Sequence, residues 1–299
     1  MFTDELFEEI GNPFANETIA DTVIGNFADR QWVEREFLAL RRHEALILGW
    51  RTFAEWITLK TTGDPDPWSD DAPHELGEVA PHRFLEEIGK VARQVPLDVT
   101  LPAHSRFWRA RRHAASDRVV HGADLGSPPA ASAEVNRMSR AGVSMFYGTA
   151  ERQTAITEAR GMKLIVSIGQ FETARDFRII NLTGLPEIPS LYDRSRRHLR
   201  DAVRFLQSFV QEVSKRVQAG REIEYLPTQV VTEFFRDTYR CTNGETVRGI
   251  RYPSSQGAGS CVVLFCDNAN CCDIADRWTE AADKWLGLDL TTLETRPSA

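Results

Sequence analysis

The stretch SMFYGTAERQTAITEARGMKLIVSIGQF, residues 144–171, changes pattern twice within one short run. Ser144 to Tyr147 reads as a strand and Glu151 to Arg160 as a helix, with Thr149 in position to cap it. The β-branched, apolar run LIVSIGQF reads as a second strand. Downstream, DFRIINLT at 176–183 is expected to be another strand. Arg196 to Val217 carries Leu199, Val203, Leu206, Phe209, Val210, Val213 and Val217 at helical spacing. Pro227 to Tyr239 is expected to form a further helix, with proline in the first turn, where its missing N–H does no harm. RGIRYPSS at 248–255 and SCVVLFC at 260–266 read as closing strands. Upstream, Phe107 to Ala110 reads as a strand leading into basic residues, and HGADLGSPPAASAEVNRMSRAG at 121–142 is too rich in small and turn residues for long elements. Strands and helices mix with few tandem βα units, so the expected class is α+β rather than a doubly wound parallel sheet.

The first hundred residues read mainly helical. From Asp29 to Lys60, Trp32, Val33, Phe37, Leu40, Leu46, Ile47, Trp50, Phe53, Trp56 and Ile57 recur at spacings of three and four, the stripe of one helix or of a close pair broken at Gly49. TTGDPDPWSDDAP at 61–73 stops that periodicity and reads as a loop, and a further helix is expected from about His74 to Gln94. The chain is therefore read as a helical N-terminal domain over 1–95 and a mixed domain over 96–299.

Charge divides the 299 residues in a related way. Residues 1–100 have a net charge of −11, residues 101–220 of +8, and the remainder of −4, within a total of −7. The positive middle suits an anionic ligand such as a nucleotide or dinucleotide. Overall acidity argues against direct nucleic-acid binding, which needs an extended basic footprint. No apolar run reaches the ~20 residues of a membrane span. The start Met1-Phe2-Thr3-Asp4-Glu5 lacks the basic and apolar regions of a signal peptide, and a cytoplasmic location is expected.

Five cysteines, Cys241, Cys261, Cys266, Cys271 and Cys272, are an odd number for a disulfide scaffold. CVVLFCDNANCC at 261–272 lacks the regular spacing of a zinc knuckle and has no histidine nearby, so no metal is expected. Neither GxGxxG nor GxxxxGK[ST] occurs, which removes the Rossmann and Walker fingerprints.

Five segments carry the chemical signal: FWRAR at 107–111, NRMSRAGVSMFYGTA at 136–150, the helix bearing Glu158, LPTQVVTEF at 226–234 and GIRYPSS at 249–255. This ordered set resembles the RES-domain family, named for an arginine, a glutamate and a serine, over roughly residues 101–270. The resemblance implies a fold like that of ADP-ribosyltransferases and a role as the toxin of a bacterial toxin–antitoxin pair. Arg109 after Trp108 matches the family's first arginine, which usually follows tyrosine. Arg137 matches the naming arginine, and Tyr147 and Glu158 stand at the family's intervals after it. Asn136 and Met138 depart from the glycine and aromatic that usually flank that arginine. The late serine is Ser254 or Ser255, with Ser255 slightly preferred, and PTQ at 227–229 matches a scaffold segment at a helix start that borders the pocket.

What the resemblance implies is cleavage of the nicotinamide–ribose bond of NAD, as substrate, with ADP-ribose passing to water, phosphate or a protein acceptor. Glu158, Arg137 and Tyr147 are the catalytic candidates, and Arg109, Trp108, Arg137, Tyr147, Ser254 and Ser255 the NAD-binding ones. Elementary chemistry supports part of this: a carboxylate stabilises the oxocarbenium character that develops on the ribose, and guanidinium groups match phosphate oxygens. An antitoxin protein is the expected partner, and a homo-oligomer is left open. Two other readings stand beside it: a hydrolase or transferase acting on another nucleotide, and a non-catalytic nucleotide-binding or protein-interaction module.

Overall fold

The computed structural model describes residues 16–26, 39–62, 77–159, 165–215, 217–218, 220–255, 259–276 and 283–297. Trp32, Val33 and Phe37 of the expected apolar stripe, and residues 63–73 of the loop expected over 61–73, lie outside the described residues.

The N-terminal part is helical: α1 spans Glu17–Asn26, α2 Arg42–Thr62 and α3 Phe84–Gln94. Gly49 does not break α2. A Cβ there would lie 2.8 Å from Val79 Cβ, so glycine is needed for close approach of the chain before α3. The helix expected from His74 starts later, because Gly77 has a φ of 86° and a 3-10 turn at Pro81–Arg83 leads into α3. Strand β1 (Asp98–Leu101), not expected as a separate element, follows.

The mixed part then runs β2 (Arg106–His113), the short α4 (Gly122–Leu125), β3 (Phe146–Thr149), α5 (Arg152–Glu158), β4 (Ile165–Thr173) and β5 (Phe177–Asn181). Two helices follow, α6 (Arg200–Ser214) and α7 (Leu226–Glu233), the latter continued by a π-type turn at Phe234–Thr238. Strands β6 (Gly249–Pro253), β7 (Ser260–Leu264), β8 (Cys271–Asp273) and β9 (Leu286–Pro297) complete the chain. The cap expected of Thr149 is not made: its hydroxyl donates to Glu151 O at 2.7 Å, and Glu151 occupies the cap position without a side-chain bond to the helix backbone. Glu222 and Glu224 lie in a 3-10 turn before α7.

Among the described residues, nine strands form one sheet in the order β1-β5-β6-β7-β3-β2-β4-β9-β8. The pairs β5–β6 and β8–β9 are parallel and the others antiparallel. The class is α+β, with a mostly helical N-terminal region and a strand-rich remainder.

The alternation of side chains along a strand divides the core in two. On one face Cys261 and Val263 of β7, Ile250 and Tyr252 of β6 and Ile180 of β5 meet the helices. On the other, Val262 and Leu264 of β7, Ile179 of β5, Phe107 of β2 and Phe146 of β3 form a second cluster with Leu125, Cys266 and Cys271. The helical face is closed by aromatic packing between distant parts of the chain. Trp50 of α2 meets Phe209 of α6 edge-on at 5.0 Å, Phe53 stacks on Phe84 of α3 at 5.1 Å, and Phe84 meets Phe205 of α6 at 6.2 Å.

Candidate functional site

A cleft of about 290 Å³ opens on the helical face, over the middle of the sheet. Strands β2, β3, β6 and β7 supply its floor, the end of α5 one wall, and the Asn136–Ser139 turn with Tyr225 another. Trp108, Arg109, Arg137, Tyr147, Glu158 and Ser255 all line it.

Glu158 is the last residue of α5, a helix packed on β2, β3 and β4. Ser254 Oγ donates to Glu158 Oε1 at 2.8 Å, and the Cys261 thiol lies 3.9 Å from the same oxygen. Burial together with Glu158 pushes the Cys261 thiol up to about 12, so it stays protonated and can donate. The two serine candidates thus separate. Ser254 is buried against Glu158, while Ser255 lines the cleft and its hydroxyl lies 3.4 Å from Arg137 Nη2.

Arg137 sits at the tip of a tight turn in which Asn136 and Ser139 pair as an isolated antiparallel bridge. Its Nη1 donates to Val213 O near the end of α6 at 2.7 Å, and its guanidinium lies 5.8 Å over the Tyr225 ring. Ser139 shares a 2.9 Å hydrogen bond with Tyr147 Oη, and burial raises that phenol to about 12. The departures at 136 and 138 have a local explanation. Among the described residues, His104 is the only non-glycine with positive φ, so Asn136 occupies a conformation open to any side chain. Met138 is buried in the helical core, with its sulfur 3.1 Å from Thr232 Oγ1, whose proton goes to Thr228 O at 2.8 Å.

The basic strand β2 splits by alternation. Trp108 pairs with Thr149 on the cleft face, and the guanidinium of Arg152, which also pairs with Glu294, lies 6.0 Å over its ring. Arg109 lines the cleft through its strand, yet its side chain reaches the opposite face, 5.3 Å over the Phe146 ring. There Nε donates to Leu125 O at 2.6 Å and Nη1 to Tyr147 O at 2.7 Å. Burial lowers this guanidinium to about 10, which leaves it charged at neutral pH. Arg111 joins it by donating to Asp124 O at 2.9 Å, whereas Arg112, on the cleft face, donates to Ala159 O just beyond α5.

Tyr252, Cys261, Tyr225 and Ser139 are cleft residues that sequence reasoning did not single out. Tyr252 and Cys261 lie directly opposite each other on β6 and β7, and strand alternation could have shown that they share a face with Tyr147. Ser139 had no such signal, because its partner is chosen by the tertiary fold.

The RES domain family matches residues 106–284, more than half of the chain. The chain belongs to the RES domain family. The match begins with β2, so it covers the segments that build the cleft, and it extends past the 101–270 inferred from motifs. Membership in the RES family supports an NAD-related enzymatic activity. Comparison with curated proteins and with solved structures found no match. Among the described residues, no group of three or more His, Cys, Asp or Glu side chains is placed to hold a metal ion. No helix among them is long and apolar enough to cross a membrane.

Proposed function

We propose that this RES protein binds NAD in the cleft and breaks its nicotinamide–ribose bond, passing ADP-ribose to water, phosphate or a protein side chain. The observation that carries the reading is the Glu158 carboxyl group, bonded to Ser254 at 2.8 Å in a cleft it shares with Arg137 and Tyr147. As nicotinamide leaves, positive character builds on the ribose, and a fixed negative charge beside the ring stabilises that state more than the bound substrate. Ser254 and Cys261 both approach Oε1, which leaves Oε2 to the ribose hydroxyls.

Arg137 has one nitrogen committed to Val213 O, and its other donors suit the pyrophosphate. Tyr147 offers an aromatic face to the nicotinamide, with its hydroxyl anchored on Ser139. Trp108 offers a second aromatic surface, and Ser255 a hydroxyl for the nicotinamide amide. Arg109 acts at one remove, by holding the backbone of Tyr147. In this reading the sheet and cleft correspond to an ADP-ribosyltransferase-like fold, and the protein works in the cytoplasm as a toxin restrained by an antitoxin.

The test is nicotinamide release from NAD by purified protein, followed chromatographically with and without phosphate, for wild type and Glu158→Gln. The glutamine variant should keep most NAD affinity and lose about 100-fold in turnover, equivalent to about 2.7 kcal/mol of transition-state stabilisation. Equal rates would remove Glu158 from the chemistry. No release by wild type, even with cell extract as a source of acceptors, would leave the binding-only reading.

A further inference from the structure

The turn that presents Arg137 has an unusual construction. Asn136 N donates to Ser139 O at 2.8 Å and Ser139 N to Asn136 O at 3.3 Å, so Arg137 and Met138 form a two-residue loop. Such loops normally take turn types with positive φ, whose twist matches the paired flanks. Neither loop residue here has positive φ. A turn of this kind splays its flanks unless something outside holds them together.

That support comes from α7. The side-chain amide of Gln229, itself buried, donates from Nε2 to Asn136 O at 2.7 Å and to Ser139 O at 3.1 Å. One nitrogen thus binds both carbonyls that close the turn. Thr232, one helical turn further along the same face, donates to Thr228 O at 2.8 Å, and its oxygen lies 3.1 Å from Met138 Sδ. On the far side of the turn, Ser139 Oγ meets Tyr147 Oη and Arg137 reaches Val213 O.

We propose that Gln229 is a positioning residue of the cleft, whose amide clamps the Asn136–Ser139 turn and thereby sets where Arg137 and the Ser139–Tyr147 pair meet a ligand. Its effect on catalysis rests on the NAD reading; its effect on the turn does not. Gln229→Glu preserves shape but replaces both donors with an acceptor facing two carbonyl oxygens. Gln229→Ala removes the amide altogether.

The first measurement is amide hydrogen exchange by mass spectrometry on the full chain. In both variants a peptide covering 136–143 should exchange at least about tenfold faster, with peptides from β4 and β7 unchanged. Unchanged exchange at 136–143 overturns the proposal, as does a uniform rise across the sheet in both variants, which would make Gln229 a general core residue. The second measurement is NAD turnover. KM should rise roughly tenfold in Gln229→Glu with a smaller fall in kcat, and the KM difference from wild type should narrow at acid pH, where the introduced carboxyl takes up a proton and regains one donor. Equal loss in KM and kcat at every pH also overturns it. If wild type releases no nicotinamide, the NAD reading fails and the exchange data alone decide the role of Gln229.

Discussion

On the helical face of the sheet, Arg137 keeps donors free for the cleft; on the opposite face, Arg109 is closed against Leu125 O and Tyr147 O. Both arginines line the same cleft, and from the sequence both suit a phosphate. What separates them is the number of buried carbonyls around each guanidinium. A buried carbonyl without a partner is costly, so where loops bring two of them beneath an arginine the side chain becomes structural. Where a turn lifts the arginine above the sheet and only one carbonyl is near, the group remains available. An arginine motif therefore states a capacity for binding, and the surrounding backbone decides its use.

The largest expected effect concerns what closes the cleft-bearing face. A chain beginning at residue 96 lacks α2 and α3 and uncovers Phe205 and Phe209, both buried against Trp50 and Phe84. Exposing a few such side chains costs about 1.5–3 kcal/mol each, against a typical total of about 5–15 kcal/mol. It should show no cooperative melting transition by calorimetry or circular dichroism. A sharp transition close to that of the full chain would make residues 96–299 an independent unit.

The two arginines should then part company on substitution. Arg109→Ala leaves two carbonyls unpaired and should lower stability by about 2–4 kcal/mol in urea denaturation. Arg137→Ala should cost about 1 kcal/mol of stability and most of the NAD affinity measured by calorimetry. Matching stability losses, or NAD affinity unchanged in Arg137→Ala, would erase the distinction drawn between the two faces.

A smaller effect appears at alkaline pH. Burial raises the Tyr147 and Tyr239 phenols to about 12 and the Tyr252 phenol well above its ordinary value, against about 10 when unfolded. Because the folded values are the higher ones, this contribution is complete below pH of about 10 and is lost as pH rises above it. Phenolate absorbance from these three should therefore appear together with unfolding. Release of these three at a pH of about 10, without loss of secondary structure, would contradict their burial.

Much of this was legible in the chain itself. The strands from β2 to β7 and helices α5 to α7 follow from period and turn residues, because each buries one face and carries the pattern that burial demands. Strand β9 was not, for a physical reason. Only Leu286 to Leu288 are buried, and its pairing with β4 jumps from Ile168↔Glu294 to Gln170↔Asp289, so no single period runs through it. β1 and β8, at the sheet edges, are four and three residues long. Within the site, Glu158 and Arg137 are singled out by the RES-family resemblance, whose intervals they keep. The paired hydrogen bonds from Gln229 could not be read from the chain, since a glutamine's partners depend on which carbonyls the finished fold brings within its reach.

The nine-stranded sheet is weakest at its centre, where β2 and β3 meet through a single residue pair, Trp108↔Thr149. That junction is a seam between two leaves, one ending in β2 and the other in β3, and the cleft straddles it. Trp108, Ala110 and Arg112 stand on one leaf, and Tyr147, Tyr252 and Cys261 on the other. Arg109 is the bolt across the seam, rooted in β2 and fastened to Tyr147 O on β3. The spacing between the two banks of the cleft is thus held by one residue pair and the reach of one arginine side chain rather than by a long ladder of backbone bonds.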